Sequence, residues 1–437
     1  MIMSKSSKIS YGYNGINFNK NNILQFICIL IMPFAYCASQ YVFFVIFILE
    51  SYFCIKNIAY KDDILLLLFI NAMLYSCITF FGFRIYDWII ILGFFYYAIK
   101  YRAHIKVPIC VFPLFILSIF MIILYPTGDV ILETIRYIVS FLLFIMTYNI
   151  EFHIENIEDK LLLLSIAVLY NAIIVFILTN QGRINEYSGL ISSNIFNYID
   201  EGEIRLNGFF SDPNKYMLYC MMLFLIVSVY TKKSKIQLTT KIILFGASII
   251  SLSRTSIICF AIYFGLIFIK FIYKKNRPIA VVMFAIVCFI SIAFILYPEI
   301  LSKYINDFYV LSTKLMGRQE TLNINSNFSD DNRLYIWKKA VVFIKKSPIV
   351  GNGWLSYEKL LPYPTHNTVI SLLLDGGIIA LICHFYLFNK LYLNRYWQYS
   401  IPFIIIPVLL LDLGNYRFLY LILGLISKKI IDYKEKR

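Results

Sequence analysis

Between Lys241 and Lys274 the chain reads IILFGASIISLSRTSIICFAIYFGLIFIKFIY, broken near its centre by Ser251-Leu-Ser-Arg-Thr-Ser256. A helix rises about 1.5 Å per residue and a bilayer core is about 30 Å thick, so one crossing needs about 20 apolar residues. The run therefore reads as two membrane helices, 238–252 and 255–273, that reverse at the polar break. Arg254 then sits at or just inside a membrane interface, where a snorkelling side chain is the plain alternative to a functional one.

The same pattern repeats on both sides of this stretch. Apolar segments fall at 22–38, 40–55, 63–81, 84–99, 107–125, 129–149, 161–179, 213–230, 278–297, 367–388, 399–411 and 416–427. The expectation is an all-α polytopic membrane protein of about 12–14 transmembrane helices in a single integral membrane domain, 1–437. Composition agrees: 60% of the 437 residues are hydrophobic and only 15% charged, against roughly 25% charged in soluble domains. That excludes a cytosolic enzyme, a disordered chain and a disulfide-stapled secreted domain. The nine cysteines lie inside apolar runs without CxxC or metal-like spacing, so they read as small apolar helix residues. The first apolar run, from Ile23, is followed by a second rather than by a small-residue cleavage site, so no cleavable signal peptide is expected.

The net charge of +15 is first a topology signal. With the N-terminus placed in the cytoplasm and the spans alternating, inside segments hold 24 of the 40 basic residues, among them Lys100, Arg102 and Lys106, and Lys232, Lys233 and Lys235. The short outside loop Tyr125-Pro-Thr-Gly-Asp129 holds none. By the positive-inside rule both termini are expected in the cytoplasm, and nucleic acid is not an expected partner. Two long loops, 180–212 and 298–366, then share the extracytoplasmic face. Long loops in compact proteins are usually functional.

The larger loop contains NRLYIWKKAVVFIKK at 332–346, with Leu334, Trp337, Val341 and Ile344 on one helical face and lysines flanking it. It reads as an amphipathic helix on the membrane surface or over the mouth of the bundle. Ser329 or Asp330 could cap its start, and the pair Asp330-Asp331 reads as capping. Val350-Gly-Asn-Gly-Trp354 follows, where Gly351 and Gly353 allow tight turns or close approach to a ligand. His366 and Asn367 then stand at the N-terminus of a membrane helix. Asn367 suits an N-cap. His366 does not, and a helix N-terminus favours its neutral imidazole, able to accept a proton from a substrate hydroxyl. In the smaller loop, Asp212 before Pro213 reads as an N-cap, while Arg205 has no helix face to serve. Arg136 reads either as a buried pair with Glu133 or as a functional cation.

Arg205, Arg254 and Arg333 thus lie beside outward helix ends, and arginine suits bidentate phosphate contact. Such a set with one histidine fits a phosphate-bearing substrate at the outer leaflet. No ATP is available there, so the natural donor is a lipid-linked sugar diphosphate.

The ordered set Arg205-x-x-Gly208-x-x-x-x-Pro213-Asn214, Ser253-Arg254-Thr255, Arg333-x-Tyr-x-Trp337, Pro348-x-x-Gly351-x-Gly353, His366-Asn367 and Leu374-Asp-Gly-Gly377 resembles the O-antigen polymerase/ligase superfamily. It covers about 205–388. Asp375 stands where many relatives carry Glu. Nine residues after His366, it is about half a turn out of phase on a straight helix, so the two are not paired. The resemblance implies a membrane-type (GT-C-like) glycosyltransferase of the bacterial inner membrane, metal-independent and without cofactor, working on its extracytoplasmic face. Its substrate would be undecaprenyl-diphosphate-linked oligosaccharide, with a chain-length regulator and a flippase as candidate partners. His366 becomes the base, Arg205, Arg254 and Arg333 the diphosphate clamp, and Asn367, Gly351 and Gly353 further substrate contacts. Direct displacement would invert the anomeric centre. The polymerase branch, moving the growing chain onto the next lipid-linked repeat, is the expectation. The ligase branch, moving finished glycan onto lipid A core, is the alternative. A lipid-linked oligosaccharide flippase is the alternative from another class, disfavoured by the absence of an internal repeat.

Overall fold

The computed structural model describes residues 20–56, 58, 60–80, 83–100, 105–150, 153, 157–184, 191–193, 199–200, 203–204, 206–231, 234–251, 253–275, 333–392, 397–411, 413–414 and 416–435. The expected segment 278–297, Arg205, and Asp330-Asp331 lie outside them.

The architecture is that of an all-α polytopic membrane protein. The first seven helices are α1 (Lys20–Ala38), α2 (Gln40–Ile55), α3 (Lys61–Leu74), α4 (Ile85–Lys100), α5 (Phe112–Leu124), α6 (Gly128–Asn149) and α7 (Glu158–Asn180). Then come α8 (Pro213–Tyr230), α9 (Lys235–Ile250) and α10 (Arg254–Lys275). After the undescribed stretch follow α11 (Arg333–Lys346), the single turn α12 (Tyr357–Leu360) and the long α13 (Thr368–Tyr392). Six described helices are long and apolar enough to cross a membrane: α1, α6, α7, α8, most of α10 and most of α13. Others, such as α2 and α5, are shorter and apolar.

Local chemistry sets the helix starts. The Asp212 carboxylate accepts from Asn214 N at 2.6 Å, with Pro213 opening α8. Ser234 accepts from Gln237 N at the start of α9, and Ser39 from Tyr41 N and Val42 N at the start of α2. Each satisfies backbone donors that a first turn leaves orphaned. Helix α8 is the centre of the bundle, with every residue from Tyr216 to Val227 buried. Helices α2, α5 and α10 instead expose large apolar side chains, including Ile48, Ile123 and Phe268. That outer face suits lipid rather than water.

Three expected spans are broken: 63–81, 399–411 and, at Gly377, 367–388. The run 63–81 is helical only to Leu74. Ile78–Phe80 (β1) then pairs antiparallel with Phe83–Arg84 (β2) and with Ile191–Ser193 (β3). Ile78, Thr79 and Phe80 are β-branched or aromatic and equally content in a strand, and Cys77 N donates to Phe209 O at 2.9 Å beside them. The run 399–411 divides into α14 (Trp397–Ser400), a π turn (Ile401–Ile405) and α15 (Ile406–Leu410) before α16 (Arg417–Glu435). Pro402 and Pro407 lack the amide hydrogen a continuous helix needs.

Helix α11 packs through Ile336, Ala340, Phe343 and Ile344 onto Leu361, Leu374 and Ile370. Its packing face is thus turned from the expected 334/337/341/344 stripe, and Val341 and Val342 are exposed. Trp337 instead donates its indole N–H to Thr365 O at 2.8 Å.

Candidate functional site

Two of the sequence motifs meet at a break in α13. Gly377 has φ 62° and ψ −161°, which interrupts the helix and leaves backbone groups of both halves without helical partners. The loop after α11 supplies them. Asn352 N and Gly353 N donate to Leu374 O and Asp375 O, and Ile378 N and Ile379 N donate to Pro348 O and Ile349 O. The Gly-x-Gly and Asp-Gly-Gly motifs are therefore two sides of one backbone junction. A Cβ on Gly351 would stand 2.3 Å from Asp375 O, and one on Gly353 3.0 Å from the Tyr125 ring. Close packing with the protein itself accounts for both glycines. Tyr125 Oη donates to Gly351 O at 2.8 Å, and the Asp375 carboxylate accepts from Ser356 N and Ser356 Oγ at 3.1 and 2.6 Å.

At the other end of this half-helix, Asn367 Oδ1 accepts from Val369 N and Ile370 N at 2.9 and 3.1 Å. Thr368 N and Thr368 Oγ1 both donate to Leu411 O, while Leu413 N donates to Thr368 Oγ1. The first amides of α13 are thus occupied by protein acceptors, so charge on a ligand must be met by side chains. His366, one residue before the cap, has φ 50°. Non-glycine residues rarely adopt this left-handed conformation, and it persists only where the surroundings enforce it.

His366 is half-buried and lines a polar cavity of about 410 Å³. Its walls come from the β1–β2 hairpin, the starts of α4, α6, α8, α13 and α16, and the α12 loop. By chain alternation these all mark one end of the bundle. Four cations line it: Arg84, Arg136, Lys215 and Arg417. Arg417 Nε meets Asp87 at 2.9 Å with both side chains buried, and Arg136 meets Glu133 at 3.0 Å. Asp375 also lines the cavity. His366 precedes the helix, so the phase of α13 does not govern how the two face the same space.

The predicted arginines stand as follows. Arg254 opens α10, and the preceding Ser253 Oγ donates to Asn214 Oδ1 at 2.9 Å. Asn214 itself lines the cavity, so the backbone of the Ser-Arg-Thr break is fastened to the cavity wall. Arg333 opens α11, one turn before the Trp337 that is tied to Thr365 next to His366. Arg205 lies outside the described residues. Sequence reasoning missed Arg84, Lys215 and Arg417. The available signal was charge at the starts of apolar segments, Asp87 and Arg417 having opposite signs. Among the described residues no group of three or more His, Cys, Asp or Glu could hold a metal ion.

Residues 239–385 match the family model described as O-antigen ligase. The match spans α9 to the second half of α13 and takes in Arg254, Arg333, both glycine motifs and His366. It is consistent with the O-antigen polymerase/ligase superfamily, whose members are membrane glycosyltransferase-like enzymes. No curated protein and no solved structure matches the chain.

Proposed function

We propose that this protein is a polymerase of lipid-linked oligosaccharide repeat units, of O-antigen or capsular type. It acts at the outer face of the bacterial inner membrane, with both termini in the cytoplasm. The supporting observation is the polar cavity at one end of the bundle, where a strained, half-buried His366 shares the lining with four cationic side chains and five carboxylates. The growing chain moves from undecaprenyl diphosphate to a hydroxyl of the next lipid-linked repeat. The hydroxyl oxygen attacks the anomeric carbon while His366 takes its proton, and the bond from that carbon to the diphosphate oxygen breaks. Displacement from the opposite face inverts the centre. Cations at the cavity, with Arg254 and Arg333 at the nearby helix starts and Arg205, balance the charge gathering on the departing diphosphate. The leaving group supplies the driving force, so neither nucleotide nor divalent metal is called for.

Ligation of finished glycan to lipid A core is the second reading, favoured by the description of the matching family. Deletion of the gene, followed by separation of surface glycan and lipid-linked precursors, tests both. Loss of a polymerase leaves single repeats on the acceptor without a ladder. Loss of a ligase leaves polymerised glycan lipid-linked and unattached. Single repeats trapped on the cytoplasmic leaflet would point to a flippase and overturn both.

A further inference from the structure

The three guanidiniums of the cavity are not equivalent. Arg417 and Arg136 each meet a carboxylate within the protein, Asp87 and Glu133. Asp212 caps α8, Asp375 is bound by Ser356, and Glu358 accepts from Tyr357 Oη at 3.3 Å. Arg84 makes no ion pair among the described residues; Asp87, already held by Arg417, attracts it only from farther off. Its NH1 donates at 3.0 Å to the hydroxyl of Tyr86, whose ring also lies 5.9 Å from the guanidinium carbon. A guanidinium carries five N–H donors, so one neutral acceptor leaves most of its capacity unmet while it lines the cavity.

The backbone that carries Arg84 is braced. Arg84 pairs with Thr79 in the β1–β2 hairpin, and β1 is held on its other edge by β3. Trp88 donates its indole N–H to Phe80 O at 2.9 Å, tying the first turn of α4 back to the hairpin. A cation fixed on a strand at the mouth of a bundle, short of acceptors and sharing a cavity with His366, is built to receive an anion. We propose that Arg84 binds the phosphate or carboxylate anion of the substrate in the His366 cavity. It is a binding residue lying outside the family-matched segment 239–385, and the assignment rests on the functional reading above. Two sources share this chemistry: the diphosphate of the lipid carrier and an acidic sugar of the glycan.

The experiment uses the full chain in lipid nanodiscs, titrated with undecaprenyl diphosphate and with uncharged undecaprenol, for wild type, Arg84→Lys and Arg84→Gln. Thermal melting of each variant reports folding. If the lipid diphosphate is the anion, Arg84→Gln weakens undecaprenyl diphosphate binding about tenfold or more, Arg84→Lys falls between, and undecaprenol binding is unchanged. Unchanged diphosphate binding with a glycan ladder that shortens in cells carrying Arg84→Gln, less so with Arg84→Lys, places the anion on the sugar. Equal binding together with equal ladders overturns the assignment, as does equal loss with both variants, which marks a structural role. A wild-type protein that binds no undecaprenyl diphosphate and makes no ladder sinks the functional reading itself.

Discussion

Helix α13 carries one histidine just before its start and another inside it, and each lines a cavity of similar size. His366 faces the charged cavity of about 410 Å³. His384 lines one of about 400 Å³ walled by Leu381, Phe385, Phe388, Ile404 and Val408. Leu372 borders both. In the second cavity His384 Nδ1 lies 2.9 Å from Ala380 O, one turn back on its own helix, and its ring packs edge-on to Tyr137 at 5.9 Å. The same residue type is thus used once as a packed core ring and once as a strained, accessible group. Surroundings separate the two, and substitution should do the same. His366→Ala is expected to cut chain growth by about 10²–10⁴-fold, the usual range for a lost general base, while the protein still inserts. His384→Phe should keep ladders close to wild type. Both are read from glycan ladders at matched protein levels, and equal effects from the two would erase the distinction.

The break at Gly377 sets the angle between the half-helix that borders the polar cavity and the half that carries His384. Its φ, ψ combination is essentially reserved for glycine. A Cβ there would stand 2.3 Å from Ile349 O, a backbone atom that cannot swing away. Gly377→Ala is therefore expected to cost about 2–3 kcal/mol or more, seen as a lowered melting temperature in nanodiscs with activity lost alongside. A stable Gly377→Ala protein with wild-type ladders would mean that the junction does not hold the site.

The helical bundle was legible in the sequence because apolar runs of membrane length have few alternatives. Starts marked by Asp212-Pro213 and Asn367 fell within a residue of where the helices begin. Two places were not legible, for stated physical reasons. Ile78-Thr79-Phe80 is as apolar as the helix before it, so hydropathy hides the hairpin that positions Arg84. The cavity cations Arg84, Lys215 and Arg417 come from one strand and two helix starts far apart in the chain, and no local spacing relates them. Conversely, Gly351 and Gly353 were visible as a motif. That their partner is the backbone of Asp375 and the ring of Tyr125 depends on a helix break that only the fold reveals.

Arg254 offers a finer test of the polar side. The Ser253 hydroxyl bound to Asn214 fixes the start of α10 at the cavity wall. If Arg254 meets phosphate through two parallel N–H donors, Arg254→Lys keeps the charge but loses the fork. A drop of about tenfold in chain growth, about 1.4 kcal/mol, is then expected. Wild-type ladders from the lysine variant would reduce Arg254 to a simple interfacial charge.

The smallest effect belongs to Asn367, where two roles can be separated by choice of replacement. Its Oδ1 caps α13 through Val369 N and Ile370 N. Asn367→Ala should lower stability by about 1 kcal/mol, a shift of a few degrees at most in a chain of this size. Serine and aspartate cap a helix about as well as asparagine. If capping is the whole role, Asn367→Ser restores both melting temperature and ladder. If the amide also touches the glycan, Asn367→Ser restores the melting temperature alone and the ladder stays short. The residue before it, His366, is strained, with its φ at 50°, so loss of the cap is expected to loosen it. A serine that restores both would thus make Asn367 a residue that acts on the reaction only through the histidine beside it.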